Sequence, residues 1–574
     1  MKRHRVLMLV LLLALGVVVG IGVRGGSDCA PLPSPDPGRP RPSVILLTVD
    51  TLRPDHLGLY GYPKPTSPSL DRFASQAAVF DQAVASSAWT SPGLVSLLTG
   101  LFAARHGVTG PAESVAAGTP TFATLLARAG YRVPNLVYLT SIPNYANLGF
   151  GAPDKQYFGD ETGAGELGRW IQQAPEEPFF LWYHYRYVHL PYQPSAEAMR
   201  LFWPEGVDRS KPESPGLRAV RDDAIVPRDS LAFDLPGDRE RVTALYDGEV
   251  RTMDTWLGTV LGQLASSGLL DRSVVAVSAD HGEELFDHGW VGHASTSLHA
   301  SLHEELVRVP LMIRFPGGAG GGCHIHDPVR QVDVLPTVLS YLGIDGPTEI
   351  DGRDLLPAVR GRKLARAPAI LGTAIAGYQT PPSREGERLA GIRDDGWKLV
   401  LARCNPRAAL FHTASDPSET VDLGGTGRPE EAKLRSRLGE FLVRYDPGFF
   451  LCEPAAAAPP PAPVAGDLPC PEIELPVDGA TLSFDDDNGT IHGRWSGRPD
   501  LHYMLEYELG EGRFHTVGRM PVDGNEKSWG PFPRGVWSSF PEFNPWRVRV
   551  TIPGQTGCDT KPVVFRFAAP EARH

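Results

Sequence analysis

The chain has 574 residues, of which 42% are hydrophobic and 21% are charged. This balance is typical of a folded globular protein and not of a disordered chain. The 55 basic and 67 acidic residues give a formal net charge of −12, which argues against a general nucleic-acid-binding protein, because such proteins carry a basic surface. Six cysteines in a chain of this length do not make a disulfide-stabilised scaffold.

The N-terminus has the pattern of an export segment. Lys2, Arg3 and Arg5 precede an uncharged apolar run at residues 6–23. The length of this run lies between that of a signal-peptide core and that of a membrane-spanning helix. Residues 1–29 are therefore interpreted as either a signal peptide or an N-terminal membrane anchor. Because the basic end stays in the cytoplasm, we expect the rest of the chain to be extracytoplasmic: secreted, periplasmic or membrane-anchored.

Two proline-rich tracts divide the remaining chain. Residues 30–42 predict a semi-rigid linker, and residues 451–466 predict a second, Ala/Pro-rich linker. Between them, residues 43–450 are long enough for one large α/β domain. Residues 467–574 are predicted to form a C-terminal domain. Outside the cytoplasm disulfides are permitted, and the sequence leaves their connectivity open among the candidates Cys404, Cys452, Cys470 and Cys558.

The large domain alternates apolar runs with helical patterns. Continuous apolar runs, which are typical of strands covered on both faces, occur at residues 43–49, 179–183, 274–277 and 309–315. Helical patterns begin at Pro68, span residues 121–129 before Gly130, and span residues 242–264 before Gly268. This alternation predicts an α/β fold with a mainly parallel sheet flanked by helices.

The C-terminal domain has a different pattern. Short runs of alternating polarity, separated by Gly, Pro and Asp turns, occur at residues 482–484, 492–495, 503–509, 546–550 and 563–567. They predict an antiparallel β-sandwich of the fibronectin or immunoglobulin kind. The segment of three Asp and one Asn at residues 485–488 fits a solvated turn better than a calcium site.

Polar residues follow several of the predicted strands. Asp50 ends the first strand, Asp280 and His281 end a later one, and His189 follows the strand at residues 179–183. In open α/β sheets, sites form beyond the carboxyl ends of the strands. Two carboxylates and an imidazole at one edge suit a divalent cation, although each residue alone would be an ordinary cap or structural side chain.

Thr90 is the candidate nucleophile. Pro92 is expected in the first turn of a helix that Gly100 ends, so Thr90 is expected just before the helix N-terminus. There the helix dipole and free N–H groups stabilise an anion, and a nearby metal would lower the pKa of the hydroxyl. The alternative is that Thr90 or Ser91 only caps the helix.

Taken together, the motifs of the large domain resemble those of the sulfatase family in the alkaline phosphatase superfamily. The resemblance covers residues 43–445. It rests on ordered segments: VDTLRPDHLG at 49–58, TSPSLD at 66–71, SLLTG at 96–100, RHGV at 105–108, SADHGE at 278–283, GWVGH at 289–293, RVPL at 308–311, VDVLPT at 332–337 and DPSE at 416–419. The resemblance implies an alkaline-phosphatase-like fold and a metal-dependent ester hydrolase.

The resemblance also implies roles for individual residues. Asp50, Asp280 and His281 match the metal ligands, and Thr90 matches the nucleophile, which also contacts the metal. His189 matches a residue that contacts the ester or its leaving group. His293 matches a position usually held by a lysine that binds the anionic oxygens. The implied cofactor is one divalent metal ion, calcium by resemblance, with manganese, magnesium or zinc also compatible.

The sequence departs from the sulfatase pattern at several of these positions. Sulfatases carry Cys-x-Pro-x-Arg or Ser-x-Pro-x-Arg and oxidise the first residue to formylglycine, whereas this chain has Thr90 and, in place of the arginine, Leu94. Thr51 replaces the common second Asp ligand. Residues 131–151 contain no Lys or His, so the Gly-Lys-x-His segment is missing.

Three functional hypotheses follow. The first is a sulfatase-like hydrolase that acts on a small-molecule or carbohydrate sulfate ester through a Thr nucleophile. The second is a phosphodiesterase or phospho-headgroup transferase of the same superfamily, which fits Thr90 and an N-terminal segment held in the membrane. The third is a non-catalytic binding protein on a sulfatase scaffold, which Leu94 and the missing lysine suggest.

Overall fold

A computed structural model provides the structure of the chain. It describes residues 29–35, 38, 40–110, 113–137, 143–151, 161–203, 214–222, 237–296, 300–374 and 388–450, and parts of residues 472–567 that include the strands given below. The apolar run at residues 6–23, the second linker and the segment at residues 485–488 lie outside the described residues. Among the helices within the described ranges, none has the length and apolar character needed to cross a membrane.

The first nine strands lie in the large domain. In chain order they are β1 (Ser43–Val49), β2 (Ala78–Val84), β3 (Phe180–Tyr185), β4 (Ser273–Ala279), β5 (Glu284–Leu285), β6 (Val291–Gly292), β7 (Arg308–Arg314), β8 (Cys323–Ile325) and β9 (Val329–Arg330). The main sheet has the order β3-β1-β4-β7-β2-β8, β9 pairs with β2, and β5 and β6 form a separate hairpin.

The site-forming part of the main sheet is parallel. Strand β1 pairs in parallel with both β3 and β4, and every residue of β1, β3 and β4 is buried, as the continuous apolar runs predicted. Strand β7 has the same apolar character but pairs antiparallel with β4, and β2 pairs antiparallel with β7. An apolar run shows that a strand is covered on both faces, but it carries no information about strand direction.

Helices surround this sheet. They are α1 (Pro68–Ala74), α2 (Thr90–Thr99), α3 (Ala103–His106), α4 (Phe122–Arg128), α5 (Glu161–Gln172), α6 (Ala196–Phe202), α7 (Pro215–Asp222), α8 (Asp238–Ser266), α9 (Glu304–Val307), α10 (Val334–Leu342), α11 (Leu356–Val359) and α12 (Pro429–Tyr445). Thr121 caps α4 in a capping box with Thr124, whereas the side chain of Ser67 makes no capping bond to α1. The predicted helix at residues 242–264 is the middle of α8.

A smaller antiparallel sheet follows the main one. It contains β10 (Ala369–Ala374), β11 (Arg388–Asp394), β12 (Trp397–Ala402) and β13 (Ala408–Phe411) in that order. Helix α12 packs on this sheet through Leu434, Leu438 and Leu442, whose spacing of four residues places them on one face of the helix.

A disulfide attaches the last residue of the predicted export segment, residues 1–29, to the large domain. Cys29 is bonded to Cys323 at the start of β8, 294 residues away in sequence. The backbone of Ala30 donates to the carbonyl oxygen of Gly321 at 3.0 Å, and Leu32 is buried. Cys404 is also disulfide-bonded. The Cys29–Cys323 pair was not among the pairings considered from the sequence.

The C-terminal region consists of β-strands. They are β14 (Ile473–Leu475), β15 (Thr481–Leu482), β16 (Ile491–Trp495), β17 (His502–Leu509), β18 (Thr516–Asp523), β19 (Glu526–Trp529), β20 (Trp546–Thr551) and β21 (Val563–Phe567). They form one sheet in the order β14-β16-β19 and another in the order β15-β21-β20-β17-β18; β15 pairs in parallel with β21, and the other pairs of described strands are antiparallel. The predicted α/β fold class, with a mainly parallel central sheet and a C-terminal region of antiparallel strands, is confirmed.

Candidate active site

Three predicted ligands meet where β1 and β4 end. Asp50 follows β1, while Asp280 and His281 follow β4, and all three side chains are buried. Because β1 and β4 are parallel neighbours, their carboxyl ends lie at the same edge of the sheet. One donor atom from each of the three residues lies within 4.8 Å of the other two. The structure therefore contains a possible Asp–Asp–His metal site.

Two carboxylate oxygens of this cluster accept no hydrogen bond from the described residues and could bind a cation. Asp280 Oδ1 accepts from the backbone N–H groups of Thr51 at 3.1 Å and His281 at 2.8 Å. Among the described residues, neither Asp280 Oδ2 nor Asp50 Oδ1 has a hydrogen-bond partner. Buried polar atoms are normally satisfied, so these two oxygens fit a bound cation.

The orientation of the His281 ring also fits a metal site. Its Nδ1 lies 2.7 Å from the carbonyl oxygen of Gly282. Because a carbonyl only accepts, Nδ1 carries the proton, and the lone pair of Nε2 is left for a metal. Nε2 lies 3.6 Å from both Asp50 Oδ1 and Asp280 Oδ2. Burial and the nearby His293 hold the pKa of His281 well below its ordinary value, so the imidazole is neutral.

The two carboxyl groups have opposite pKa shifts. Burial alone would raise the pKa of Asp50, but the nearby imidazoles, His189 foremost, hold that pKa well below its usual range. Burial and the charge of Asp50 raise the pKa of Asp280 well above its usual range. Two buried carboxylates this close disfavour ionising together, and a divalent cation would allow both to be charged.

Thr90 lies beside this cluster. It is the first residue of α2, one position further into the helix than predicted, and follows the extended Trp89. Gly100 ends the helix in the left-handed conformation, as the sequence predicted. Thr90 Oγ1 lies 3.3 Å from His281 Nε2. The hydroxyl is thus at a helix N-terminus and next to the possible metal site, where both features favour an oxyanion.

His189 and His293 lie on the same side of the site. The His293 ring centroid is 4.9 Å from that of His189 and 4.4 Å from that of His281. His293 Nδ1 lies 2.7 Å from Glu283 Oε1, and Nε2 lies 2.6 Å from Ser295 Oγ, so both ring nitrogens are engaged. Burial and His189 lower the pKa of His293, which makes it a neutral hydrogen-bonding group and not a cation like the lysine it replaces.

Two residues near this site were missed by sequence analysis. His184, on β3, points Nε2 at the carboxylates and lies 3.6 Å from Asp50 Oδ2. Glu283 binds His293 and also accepts from the Tyr192 hydroxyl at 3.2 Å, and burial raises its pKa to about 8. The sequence did contain one indication of a role for His184, because it is a titratable residue near the end of an otherwise apolar strand.

Comparison with known proteins places the chain in a family. The family model described as Sulfatase matches residues 42–344, which is more than half of the chain, and the model described as N-sulphoglucosamine sulphohydrolase, C-terminal, matches residues 292–445. The chain belongs to the sulfatase family. The resemblance drawn from the motifs is thereby confirmed, and the family lies within the alkaline phosphatase superfamily.

Relatives of this sulfatase-family chain are named as hydrolases. It is 21% identical to N-acetylglucosamine-6-O-sulfatase of Bacteroides thetaiotaomicron over 70% of the chain and 86% of that protein. It is 25% identical to choline-sulfatase of Rhizobium meliloti over 68% of the chain and 83% of that protein. Its fold is similar to that of phosphonate monoester hydrolase of Agrobacterium radiobacter, with a TM-score of 0.57 and 22% identity over 71% of the chain and 96% of that structure.

The departures from the sulfatase pattern have clear structural positions. Leu94 is fully buried in the hydrophobic core, so it does not provide a polar substitute for the arginine. Thr51 has a left-handed φ of 57°, and its hydroxyl has no hydrogen-bond partner among the described residues. Its backbone N–H orients Asp280, so Thr51 serves the site through the main chain.

Proposed function

We propose that this member of the sulfatase family is an extracytoplasmic, metal-dependent hydrolase that cleaves sulfate esters with Thr90 as nucleophile. The observation that carries this proposal is the 3.3 Å separation between Thr90 Oγ1 and His281 Nε2, beside Asp50 and Asp280. Carbohydrate sulfate esters are the substrate class that the relatives' names favour, including that of the N-acetylglucosamine-6-O-sulfatase.

The residues present fit a divalent cation held by Asp50, Asp280, His281 and Thr90. When bound there, the cation would lower the pKa of the Thr90 hydroxyl and neutralise charge on the ester oxygens. Calcium is the ion that the family resemblance favours, and manganese, magnesium and zinc also suit carboxylate and imidazole donors.

The reaction then needs two displacements at sulfur. Thr90 Oγ, after losing its proton to solvent, attacks the sulfur in line, the bond from sulfur to the ester oxygen breaks, and the alcohol oxygen takes a proton from His189. His189 Nδ1 lies against the carbonyl oxygen of Leu190, which leaves Nε2 as the nitrogen that can serve the leaving group. Water then attacks the sulfur while His189 takes one of its protons, which releases hydrogen sulfate and restores both the Thr90 oxyanion and the protonated His189. A threonine cannot expel sulfate by hemiacetal collapse, so this second displacement is required.

A phosphodiester or phospho-headgroup substrate is the second candidate. The observation that favours it is Thr90 itself, since Ser and Thr nucleophiles of the superfamily act on phosphorus through attack by water on the esterified residue. The neutral, fully engaged His293 and the buried Leu94 also remove cationic contacts that a sulfate ester normally receives.

The disulfides support an extracytoplasmic location. Both Cys29 and Cys404 are disulfide-bonded, and such bonds persist in oxidising compartments. A membrane attachment through residues 1–29 remains part of the proposal.

A paired turnover assay tests the proposal. The full chain is assayed with p-nitrophenyl sulfate and bis-p-nitrophenyl phosphate across calcium, magnesium, manganese and zinc, with Thr90→Ala and Asp280→Ala as variants. Turnover of the sulfate that both variants abolish supports the sulfatase. A Thr90-dependent preference for the phosphodiester selects the second candidate. If the chain binds metal but turns over neither substrate nor any of a panel of sulfated sugars, both proposed activities are contradicted. The hypothesis of a non-catalytic binding protein then remains.

A further inference from the structure

His184 is a buried imidazole with one unsatisfied nitrogen. Its side chain is 0% exposed on β3, next to β1 in the main sheet. Its Nε2 has no hydrogen-bond partner among the described residues. That atom lies 3.6 Å from Asp50 Oδ2 and 4.0 Å from Asp280 Oδ2. Both distances are too long for a hydrogen bond, so proximity to the carboxylates does not satisfy it.

The hydrogen bonds around His184 Nδ1 allow the tautomer that a ligand needs. Nδ1 lies 2.9 Å from Thr48 Oγ1, which accepts from Trp182 Nε1–H at 3.0 Å. The Thr48 hydroxyl has its own acceptor, the carbonyl oxygen of Tyr183 at 3.3 Å. Because the Thr48 hydroxyl donates its proton to Tyr183, it accepts a hydrogen bond from His184 Nδ1–H. The lone pair of His184 Nε2 then faces the two carboxylates.

Three buried atoms in this part of the site have no hydrogen-bond partner among the described residues: His184 Nε2, Asp50 Oδ1 and Asp280 Oδ2. A lone pair directed at two carboxylates is electrostatically unfavourable unless a cation lies between them. Ligand bonds of about 2.0–2.2 Å place neighbouring donor atoms roughly 3–4 Å apart. The separations of 3.6 and 4.0 Å between His184 and the carboxylates match that spacing.

We propose that His184 is an additional protein ligand of the metal in the candidate active site. This inference rests on the proposed metal-dependent hydrolase and specifies its cofactor. With His184, the site offers two imidazole nitrogens, two carboxylates and the Thr90 hydroxyl.

The enlarged ligand set changes the expected metal. Calcium prefers six to eight oxygen donors, whereas two imidazoles with carboxylates suit manganese or zinc. The site therefore selects a transition metal over calcium, contrary to what the family resemblance implies.

Metal titration of the full chain tests this. An exposed cluster of Asp81, His324 and His326, in which His324 Nδ1 lies 2.7 Å from Asp81 Oδ1, offers a second set of donors. The parent protein for the titrations therefore carries His324→Ala and His326→Ala. After treatment with a chelator, it is titrated calorimetrically with Mn²⁺, Zn²⁺ and Ca²⁺.

The proposal expects His184→Ala to weaken Mn²⁺ and Zn²⁺ binding by at least about 10- to 100-fold and Ca²⁺ binding by less than about 3-fold. His184→Asn is the second variant if the alanine variant fails to fold, which circular dichroism detects. His106→Gln is the matched control, because His106 is another buried imidazole, bonded to Ser96 at 3.0 Å, and its loss leaves all three affinities unchanged.

The outcomes separate this inference from the proposed function. If Asp280→Ala abolishes binding but the His184 variants keep Mn²⁺ and Zn²⁺ affinity within about 3-fold, the metal site stands and His184 is not a ligand. If the parent binds none of the three ions, the metal-dependent hydrolase itself fails. Co²⁺ absorption gives an independent readout, since loss of an imidazole ligand changes the d–d bands, and unchanged bands in His184→Ala overturn the proposal.

Discussion

Gly93 and Asp280 are in such close contact that a side chain at Gly93 would not fit. A Cβ at Gly93 would lie 2.6 Å from the carbonyl oxygen of Asp280. The first turn of α2 can therefore rest directly on the end of β4, which places Thr90 beside His281. Glycine is needed here for close backbone approach.

We expect Gly93→Ala to push α2 away from the metal site. A displacement of about 1 Å at the nucleophile costs about 100-fold in kcat, and overpacking costs roughly 1–3 kcal/mol of stability. Steady-state kinetics and denaturant unfolding measure both effects. Gly262→Ala is the control, because Gly262 lies in α8 with no neighbouring atom within 4 Å of its would-be Cβ. A Gly93→Ala enzyme with wild-type kcat and stability would show that this contact does not position Thr90.

Glu284 is predicted to make the stability of the chain depend on pH. It is 1% exposed, and burial together with the nearby Glu305 raises its pKa from 4.5 to about 8. The folded chain holds this proton to a higher pH than the unfolded chain, so the stability falls as the pH rises between these two values. Replacing Glu284 with Gln removes that loss.

The free energy of unfolding of metal-free Glu284→Gln should therefore exceed that of the wild type at about pH 8.5 by a few kcal/mol. The difference should shrink towards about pH 5, where the wild-type carboxyl is protonated in the folded chain. Urea unfolding across the pH range measures it, with the exposed Glu177→Gln as control. A constant difference at all pH values would mean that Glu284 does not titrate in this way.

Lys398 forms a buried ion pair that stabilises the smaller sheet. Its Nζ lies 2.6 Å from Glu419 Oε1 and 3.3 Å from Glu304 Oε1, and the side chains of Lys398 and Glu419 are both 0% exposed. Lys398→Met removes the lysine charge from the buried Glu419 and leaves it only His303 Nδ1 at 3.2 Å and the backbone N–H of Glu304 at 3.0 Å, so we expect a loss of about 3–5 kcal/mol in thermal or denaturant unfolding. Arg366→Met, which removes an exposed pair with Asp395, should cost less than about 1 kcal/mol. Equal effects of the two substitutions would contradict this ranking.

The Cys29–Cys323 disulfide should stabilise the large domain. It closes a loop across 294 residues, and removing such a bond typically costs 2–5 kcal/mol. We expect a chain with Cys29→Ser and Cys323→Ser to unfold at a lower temperature than the oxidised wild type. Because Cys404 is also disulfide-bonded, the reductant is applied to both proteins. On reduction, the unfolding temperature of the wild type should fall by more than that of the double variant. Equal decreases would mean that the loss of stability comes from other disulfides and that Cys29–Cys323 does not stabilise the domain.

Much of the site was predictable from local sequence. Asp50 and the pair Asp280–His281 directly follow apolar strands, and the carboxyl ends of parallel strands meet at one edge. Thr90 was predictable because Pro92 and Gly100 delimit α2. These inferences use only residues within a few positions of each other, where strand and helix signals are strongest.

The roles of His184, Glu283 and Cys29 were not predictable in this way. In the sequence, His184 is one residue of an apolar strand, and only the pairing of β3 with β1 brings it near Asp50. Glu283 acquires a role only through the hydrogen bond to His293. The partner of Cys29 lies 294 residues away, a distance over which sequence pattern carries no pairing information.

The amino-acid sequence by itself determined the fold class, the strand ends that carry Asp50, Asp280 and His281, and the position of Thr90 at a helix start. These follow from hydrophobic periodicity and capping, which act between near neighbours in the chain. The tertiary structure alone decided the antiparallel direction of β7, the disulfide partner of Cys29 and the convergence of His184 on the carboxylates. Each of these depends on which distant segments pack together, and long-range packing is set by the burial of the whole core.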